Sequence, residues 1–252
     1  MTNPSTDGTG QPSISFKGAA KTYNTFKALN PLDLDIPSGE LFGFLGPNGA
    51  GKTTAMKLAA GLVKATSGSV SICGHDVQDD PIAAKRLIGF VPDSPYIYES
   101  LTGREFLHFC AGLYSLDHDT TAIRLPELLE EFGIGTWVDK RAGEYSHGMK
   151  QRVVMASAFI HKPRVILIDE PMVGLDPAAI RLIKNKLRQF CASGGAVFLS
   201  THTLHDAEEL CDRLAIIKDG SIIAIGSVQD VASDGRRLEE AFLDLTGTES
   251  HA

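Results

Sequence analysis

No stretch of the 252 residues approaches the roughly 18 consecutive apolar residues that a membrane-spanning helix needs. The longest apolar runs, VILI at 165–168 and LAII at 214–217, have the length of strands. The chain is therefore not expected to cross a bilayer by itself. No global basic field attracts nucleic acid, since 24 lysines and arginines against 31 aspartates and glutamates leave a net charge of −7; a local basic patch stays open. Only four cysteines occur (Cys73, Cys110, Cys191 and Cys211), far apart and with no CxxC pair. That excludes a disulfide scaffold and predicts reduced thiols. The opening MTNPSTDGTGQP has neither a basic residue nor an apolar segment, so it reads as a short disordered tail over 1–12 rather than a secretory signal. Tandem repeats and long low-complexity linkers are missing as well.

What is present is an ordinary globular composition, 43% hydrophobic and 22% charged. The length suits one large domain or two small ones, with an ample core. Strands are predicted at 14–19, 32–36, 41–46, 69–73 and 88–92, and a first helix from Thr53 to Leu62. LDLDI at 32–36 alternates as a half-buried strand should. From about 95 to 160 Leu and Phe fall at helical spacing, with helices predicted over 103–114, 125–134 and from Met149 to His161. This is the texture of a helical subdomain inserted into an α/β core. The alternation resumes with a strand at 165–169, a helix at 177–190 opening on Pro177, a strand at 196–200 and a helix at 204–211. A hairpin over 214–226 turns at Asp219-Gly220. Such an order predicts a largely parallel sheet covered by helices. The stretch 236–247 reads as an amphipathic helix within a C-terminal tail, 227–252.

Three segments carry chemistry. GPNGAGKTT at 46–54 lies between a strand and a helix and fits G-x-x-x-x-G-K-[ST]. Gly46, Pro47, Asn48, Gly49, Ala50 and Gly51 form its loop. Gly49 and Gly51 allow turns that aim successive N–H groups inward, and the helix adds its positive N-terminal end. Lys52 is placed to reach β- and γ-phosphates, the Thr53 hydroxyl to bind Mg²⁺, and Thr54 to contact the α-phosphate. VILIDEP at 165–171 delivers Asp169 and Glu170 to the C-terminal end of a central strand, where open α/β sheets bind ligands. A phosphate site needs one carboxylate to orient Mg²⁺, and hydrolysis needs a second to activate water; Asp169 suits the first role and Glu170 the second. STH at 200–202 brings His202 to the same edge, where it can donate to a γ-phosphate and help hold the attacking water. His205 adds a second imidazole at one helical spacing, too little for a zinc site.

In this order the residues resemble those of ABC-type ATPases, the nucleotide-binding subunits of ABC transporters, over about 14–226. YSHGMKQR at 145–152 is similar to the signature motif specific to that family. The resemblance implies a P-loop NTPase (RecA-like) α/β core with a largely parallel sheet, an antiparallel β part near the N-terminus and the inserted helical subdomain, the whole covering 13–226. It implies ATP and Mg²⁺ as cofactors. It also implies a homodimer or heterodimer of such domains that sandwiches two ATP molecules head to tail. Ser146 and the backbone of Gly148 would then meet the γ-phosphate held by the opposite subunit. Tyr23 matches the aromatic that stacks on adenine; its other reading is a core tyrosine at a strand edge. Asp176, in GLDP at 174–177, matches a loop that communicates between the two sites.

Three positions depart from the family pattern. Asp93, in VPDSP at 91–95, stands where Gln is usual. A carboxylate can meet Mg²⁺ but cannot donate a hydrogen bond, and its other reading is a capping or hinge residue. His147 replaces the first signature glycine and Met149 the usual glutamine. SPYIYESLTGREFL at 94–107 resembles the permease-facing segment of exporter-type members, with Tyr96, Ile97, Tyr98 and Leu101 either docking a coupling helix or packing inside the subdomain. The expected function is an ATP-hydrolysing subunit with Glu170 as general base. It would be cytoplasmic and peripheral on the cytoplasmic face of the membrane, powering a permease on a separate chain, an exporter in preference to an importer. No nucleic-acid partner is expected. One rival is a soluble ABC-type ATPase acting on nucleic acid or the ribosome, against which stand the net charge and the lack of a tandem domain or coiled-coil insertion. The other is an ATP-gated switch with little turnover, motivated by Asp93 and the altered signature and opposed by the intact Asp169, Glu170 and His202.

Overall fold

The apolar runs become two sheets in a computed structural model that describes residues 11–232 and 237–247. The first sheet is antiparallel. It contains β1 (Ile14–Tyr23) and β2 (Phe26–Ile36) and, beyond β3 (Leu41–Leu45) and α1 (Lys52–Ala59), β4 (Ser67–Ile72) and β5 (His75–Asp76), in the order β2-β1-β4-β5. In β2 Leu32, Leu34 and Ile36 are buried while Asp33 and Asp35 face solvent, as the alternation requires.

The second sheet holds β3 with β6 (Ile88–Val91), β7 (Val165–Asp169), β8 (Ala196–Thr201), β9 (Arg213–Lys218) and β10 (Ser221–Ser227), in the order β10-β9-β3-β8-β7-β6. Every pair from β9 to β6 is parallel; β10 alone runs antiparallel, joined to β9 by Asp219-Gly220, whose φ values of 47° and 76° are those of a tight two-residue hairpin. All residues of β3, β7 and β8 are buried, because both faces of the sheet are covered. Ile166, Ile168, Val197 and Leu199 enter one core; Val165, Leu167, Ala196 and Phe198 enter the other.

The helical stretch departs from the sequence reading at its boundaries. After α2 (Pro81–Arg86) come α3 (Gly103–Leu113), α4 (His118–Glu131) and α5 (His147–Ala158). The helix predicted over 125–134 belongs to α4, which begins seven residues earlier on an Asp117 cap that accepts from Thr120 N at 2.6 Å and runs through Pro126. α5 begins at His147, two residues before the predicted start, on a Ser146 cap that accepts from Met149 N at 3.2 Å. α1 stops at Ala59, short of Leu62, where Gly61 turns left-handed at φ 62°. Beyond follow α6 (Pro177–Ala192), α7 (Leu204–Leu210), α8 (Val228–Ala232) and α9 (Leu238–Thr246). Two helices go beyond the predicted elements: α2, although Pro81 at its first turn is a start signal, and α8, where Ser227 and Asp230 hydrogen-bond each other reciprocally. The predicted tail lies outside the described residues apart from Gln11 and Pro12, as does Arg236 of the predicted final helix. The four cysteines are thiols. Among the described residues no helix is long and apolar enough to cross a membrane.

Candidate active site

Four strand ends meet at the C-terminal edge of the parallel sheet. β3 runs into the loop 46–51, β6 leads to Asp93, β7 ends at Asp169, and β8 leads to His202. A cleft of about 540 Å³ opens between them. Asn48, Gly49, Gly51, Lys52, Thr53 and Thr54 line one side, and Asp93, Asp169, Glu170 and His202 another. Gly51 opens α1 at φ 110°, and a Cβ there would fall 2.6 Å from the Ala28 carbonyl oxygen, so the loop lies against β2 only because this residue has no side chain. Gly46, Pro47 and Ala50 form the back of the loop. The buried Lys52 ammonium donates to the Gly46 carbonyl at 2.6 Å and the Pro47 carbonyl at 3.1 Å. Burial pushes its pKa below the ordinary lysine value, against the opposing pull of the Glu170 and Asp169 carboxylates.

The two carboxylates differ in setting. Asp169, 3% exposed, accepts a hydrogen bond from the buried Ser200 hydroxyl, its register partner on β8. Consecutive strand residues should point to opposite faces. Glu170 escapes that rule with a left-handed backbone, φ 50°, held by its N–H donating to the Ser200 carbonyl at 3.0 Å. Its side chain thereby shares the cleft with Asp169. Glu170 Oε1 accepts from His202 Nδ1 at 2.8 Å, and Oε2 from Thr201 Oγ1 at 3.3 Å.

At the far end of the cleft the β1–β2 hairpin turns at Asn24-Thr25, pairing Tyr23 with Phe26. Tyr23 is 40% exposed and Phe26 65%, and both line the cleft. Tyr23 is thus no core residue; Lys21 Nζ sits 4.9 Å from its ring centroid. Asp93 is exposed to the cleft and caps no helix among the described residues. Phe26, Ala28 and Val173 complete the lining and were not singled out from the sequence, although the turn in YNTF was a signal that Phe26 faces Tyr23. From the sequence Ser200 is only the end of a strand and Thr201 only the middle of STH.

Ser146, Gly148 and Asp176 lie away from this lining, at a second locus. Asp176 caps α6, accepting from Ala179 N at 2.8 Å. The start of α5 packs on the segment after Glu170: a Cβ on Gly174 would fall 2.6 Å from the His147 ring, and one on Gly148 would fall 3.2 Å from the Gly174 carbonyl oxygen. Gln151 of α5 donates to the Pro171 carbonyl at 3.4 Å. Of the candidate docking residues, Tyr96 and Tyr98 are exposed, their ring centroids 5.5 Å apart, and Phe109 continues the row 6.0 Å from Tyr98. Ile97 does not join them. It is 2% exposed and belongs to the core, because its side chain points opposite to its two neighbours.

The sequence profile of the ABC transporter family matches residues 29–173. An uncharacterized ABC transporter ATP-binding protein of Nostoc sp. is 39% identical over 206 residues, 81% of this chain and 61% of that protein, so this chain spans about three fifths of its length. The Nod factor export ATP-binding protein I of Burkholderia thailandensis is 38% identical over 214 residues, 85% of this chain and 70% of that one. A solved ATP-binding subunit of an ABC transporter superposes with a TM-score of 0.86 at 33% identity, over 92% of this chain and 98% of that one. The chain belongs to the ABC transporter family, as one of its ATP-binding subunits.

Proposed function

We propose that this subunit hydrolyses Mg-ATP to power a membrane permease carried on a separate chain, in a complex that exports its substrate. The observation that carries hydrolysis is the cleft in which the Lys52 loop faces Asp169, Glu170 and His202. The residues fit a magnesium ion: Thr53 and Asp93 offer oxygens in the cleft, and Asp169 keeps Oδ2 clear of the Ser200 bond. Among the described residues no three His, Cys, Asp or Glu side chains form a metal cage, which suits a cation held by one or two protein oxygens together with phosphate. Bound magnesium supplies charge neutralisation across the β- and γ-phosphates.

The chain's own residues have separable tasks. The loop amides and Lys52 hold the phosphates, and Tyr23 with Phe26 offers π-faces to the base. Glu170 accepts the proton of the attacking water. His202 donates Nδ1–H to Glu170, and its Nε2 donates to the γ-phosphate only when that nitrogen carries a proton as well. Ser146 accepts an amide in its capping role, so its hydroxyl proton stays available for a phosphate held by a second copy or a paired subunit. That arrangement supports a head-to-tail sandwich formed by ATP and released by hydrolysis. We assign 13–226 to the ATP-binding domain, about 95–160 of it to the helical subdomain, and 227–252 to a C-terminal tail. Export is supported by the Nod factor export relative and by the row Tyr96, Tyr98 and Phe109, which offers an aromatic face to a permease helix at the cytoplasmic surface of the membrane.

Replacing Glu170 by Gln tests the base. Turnover is expected to fall at least about a hundredfold while ATP doubles the mass seen in light scattering. Unchanged turnover would overturn the base, and an unchanged mass the sandwich. Affinity purification of the tagged subunit from native membranes in mild detergent should recover a stoichiometric polytopic partner. Recovery from the soluble fraction with ribosomes or nucleic acid would overturn the transporter role.

A further inference from the structure

Thr201, buried at the end of β8, makes two hydrogen bonds through one oxygen. The Thr203 amide donates to its Oγ1 at 3.0 Å, and Oγ1 lies 3.3 Å from Glu170 Oε2. A hydroxyl has one proton and two lone pairs. With a lone pair taken by the amide, the proton is left for the carboxylate. The other carboxylate oxygen takes His202 Nδ1 at 2.8 Å, and the Glu170 amide is held by the Ser200 carbonyl at 3.0 Å. Three consecutive residues of one chain segment therefore hold the backbone and both side-chain oxygens of Glu170.

We infer that Thr201 is a positioning residue for Glu170, fixing the plane of its carboxylate. The terminal torsion of a glutamate is broad and shallow. One donor, His202, leaves the group free to swing about that bond; a second donor on the other oxygen stops it. Proton abstraction depends on a lone pair aimed at the attacking water, so the plane matters to the rate and not to ATP affinity. The anchor is firm because Thr203 opens α7, and α7 is tied to α6 by the buried Lys184 ammonium, which lies 2.8 Å from Asp206 Oδ1 and 2.6 Å from Glu209 Oε2. The inference rests on Glu170 being the general base.

Thr201→Val keeps the volume and β-branching and removes the oxygen; Thr203 is exposed, so water can take its amide. Thr201→Ser keeps the hydroxyl. Two readouts on the full chain test the role: the ¹⁵N resonances of the His202 imidazole without nucleotide, and steady-state Mg-ATP hydrolysis. The valine variant is expected to shift the Nδ1 resonance and lower kcat about tenfold, with KM for ATP and the melting temperature unchanged. The serine variant should restore both. An unmoved resonance, an unmoved kcat, or a kcat that falls only together with ATP affinity and melting temperature would overturn the inference. Full turnover in Glu170→Gln would instead remove the base, and the imidazole resonance tells that failure apart from loss of the Thr201 contact.

Discussion

Glu40 ends the turn PSGE, a place where a charged residue is expected in water, yet only 8% of its surface reaches solvent. Arg213 Nε stands 3.5 Å from Oε1, while Oε2 is buried with no hydrogen-bond partner among the described residues. Burial raises the carboxyl pKa from 4.5 to about 7; Arg213 opposes the rise and Asp212 adds to it. The unfolded chain releases this proton near pH 4.5, whereas the folded chain keeps it until about pH 7. In that window the folded state binds more protons, so this residue makes stability fall as pH rises. Glu40→Gln is neutral throughout. Its stability relative to wild type should climb by about 1–3 kcal/mol between pH 4.5 and 7.5 and stay level outside that window, as read from urea unfolding at each pH. A flat difference would mean that Glu40 ionises as an exposed carboxylate does.

Among the elements, the β1–β2 hairpin shapes the end of the cleft that we propose takes the base. Tyr23 and Phe26 are register partners, and cross-strand partners present their side chains to one face. Phe26→Ala is expected to raise KM for ATP about fivefold with kcat unchanged, measured by steady-state kinetics; an unaltered KM would leave Phe26 a surface residue. The same hairpin shows what could be read without coordinates. The place of the Lys52 loop, Asp169 and Glu170 in the cleft was legible because each sits where an apolar strand stops, and a strand end is a local pattern. Tyr23 came from resemblance, and Phe26 was missed because its proximity to the cleft depends on how the antiparallel sheet sits against the parallel one. The caps at Asp117 and Asp176 were written in the sequence and passed over. Gly174 under the His147 ring was not readable, since that contact joins segments 27 residues apart in the chain (174 − 147). Nor was the left-handed backbone of Glu170, which follows from its amide bonding across to β8.

At the scale of the molecule, the inserted helices do not carry a core of their own. Phe106 and Leu107 of α3 and Leu128 of α4 belong to the same apolar cluster as Ile166 and Ile168 of β7 and Val197 and Leu199 of β8. Tyr145, buried beside them, accepts from the Gly103 amide at 3.0 Å and donates to the Val138 carbonyl at 2.9 Å, closing the helical stretch on itself. Each of the strands β7 and β8 gives its alternate residues to the two cores, so a strand lost from one is lost from both. Melting should therefore be all-or-none: a single calorimetric peak whose van't Hoff and calorimetric enthalpies agree, with circular dichroism and tryptophan fluorescence from Trp137 reporting the same midpoint. Two resolved peaks would show the helices to be an independent unit. Shared strands also limit how such a chain can vary over generations. Deleting one residue from β7 would exchange the occupants of both cores at once and draw Asp169 and Glu170 back from the cleft, so length changes should be tolerated in the loops around the helices and rejected in the strands between the cores.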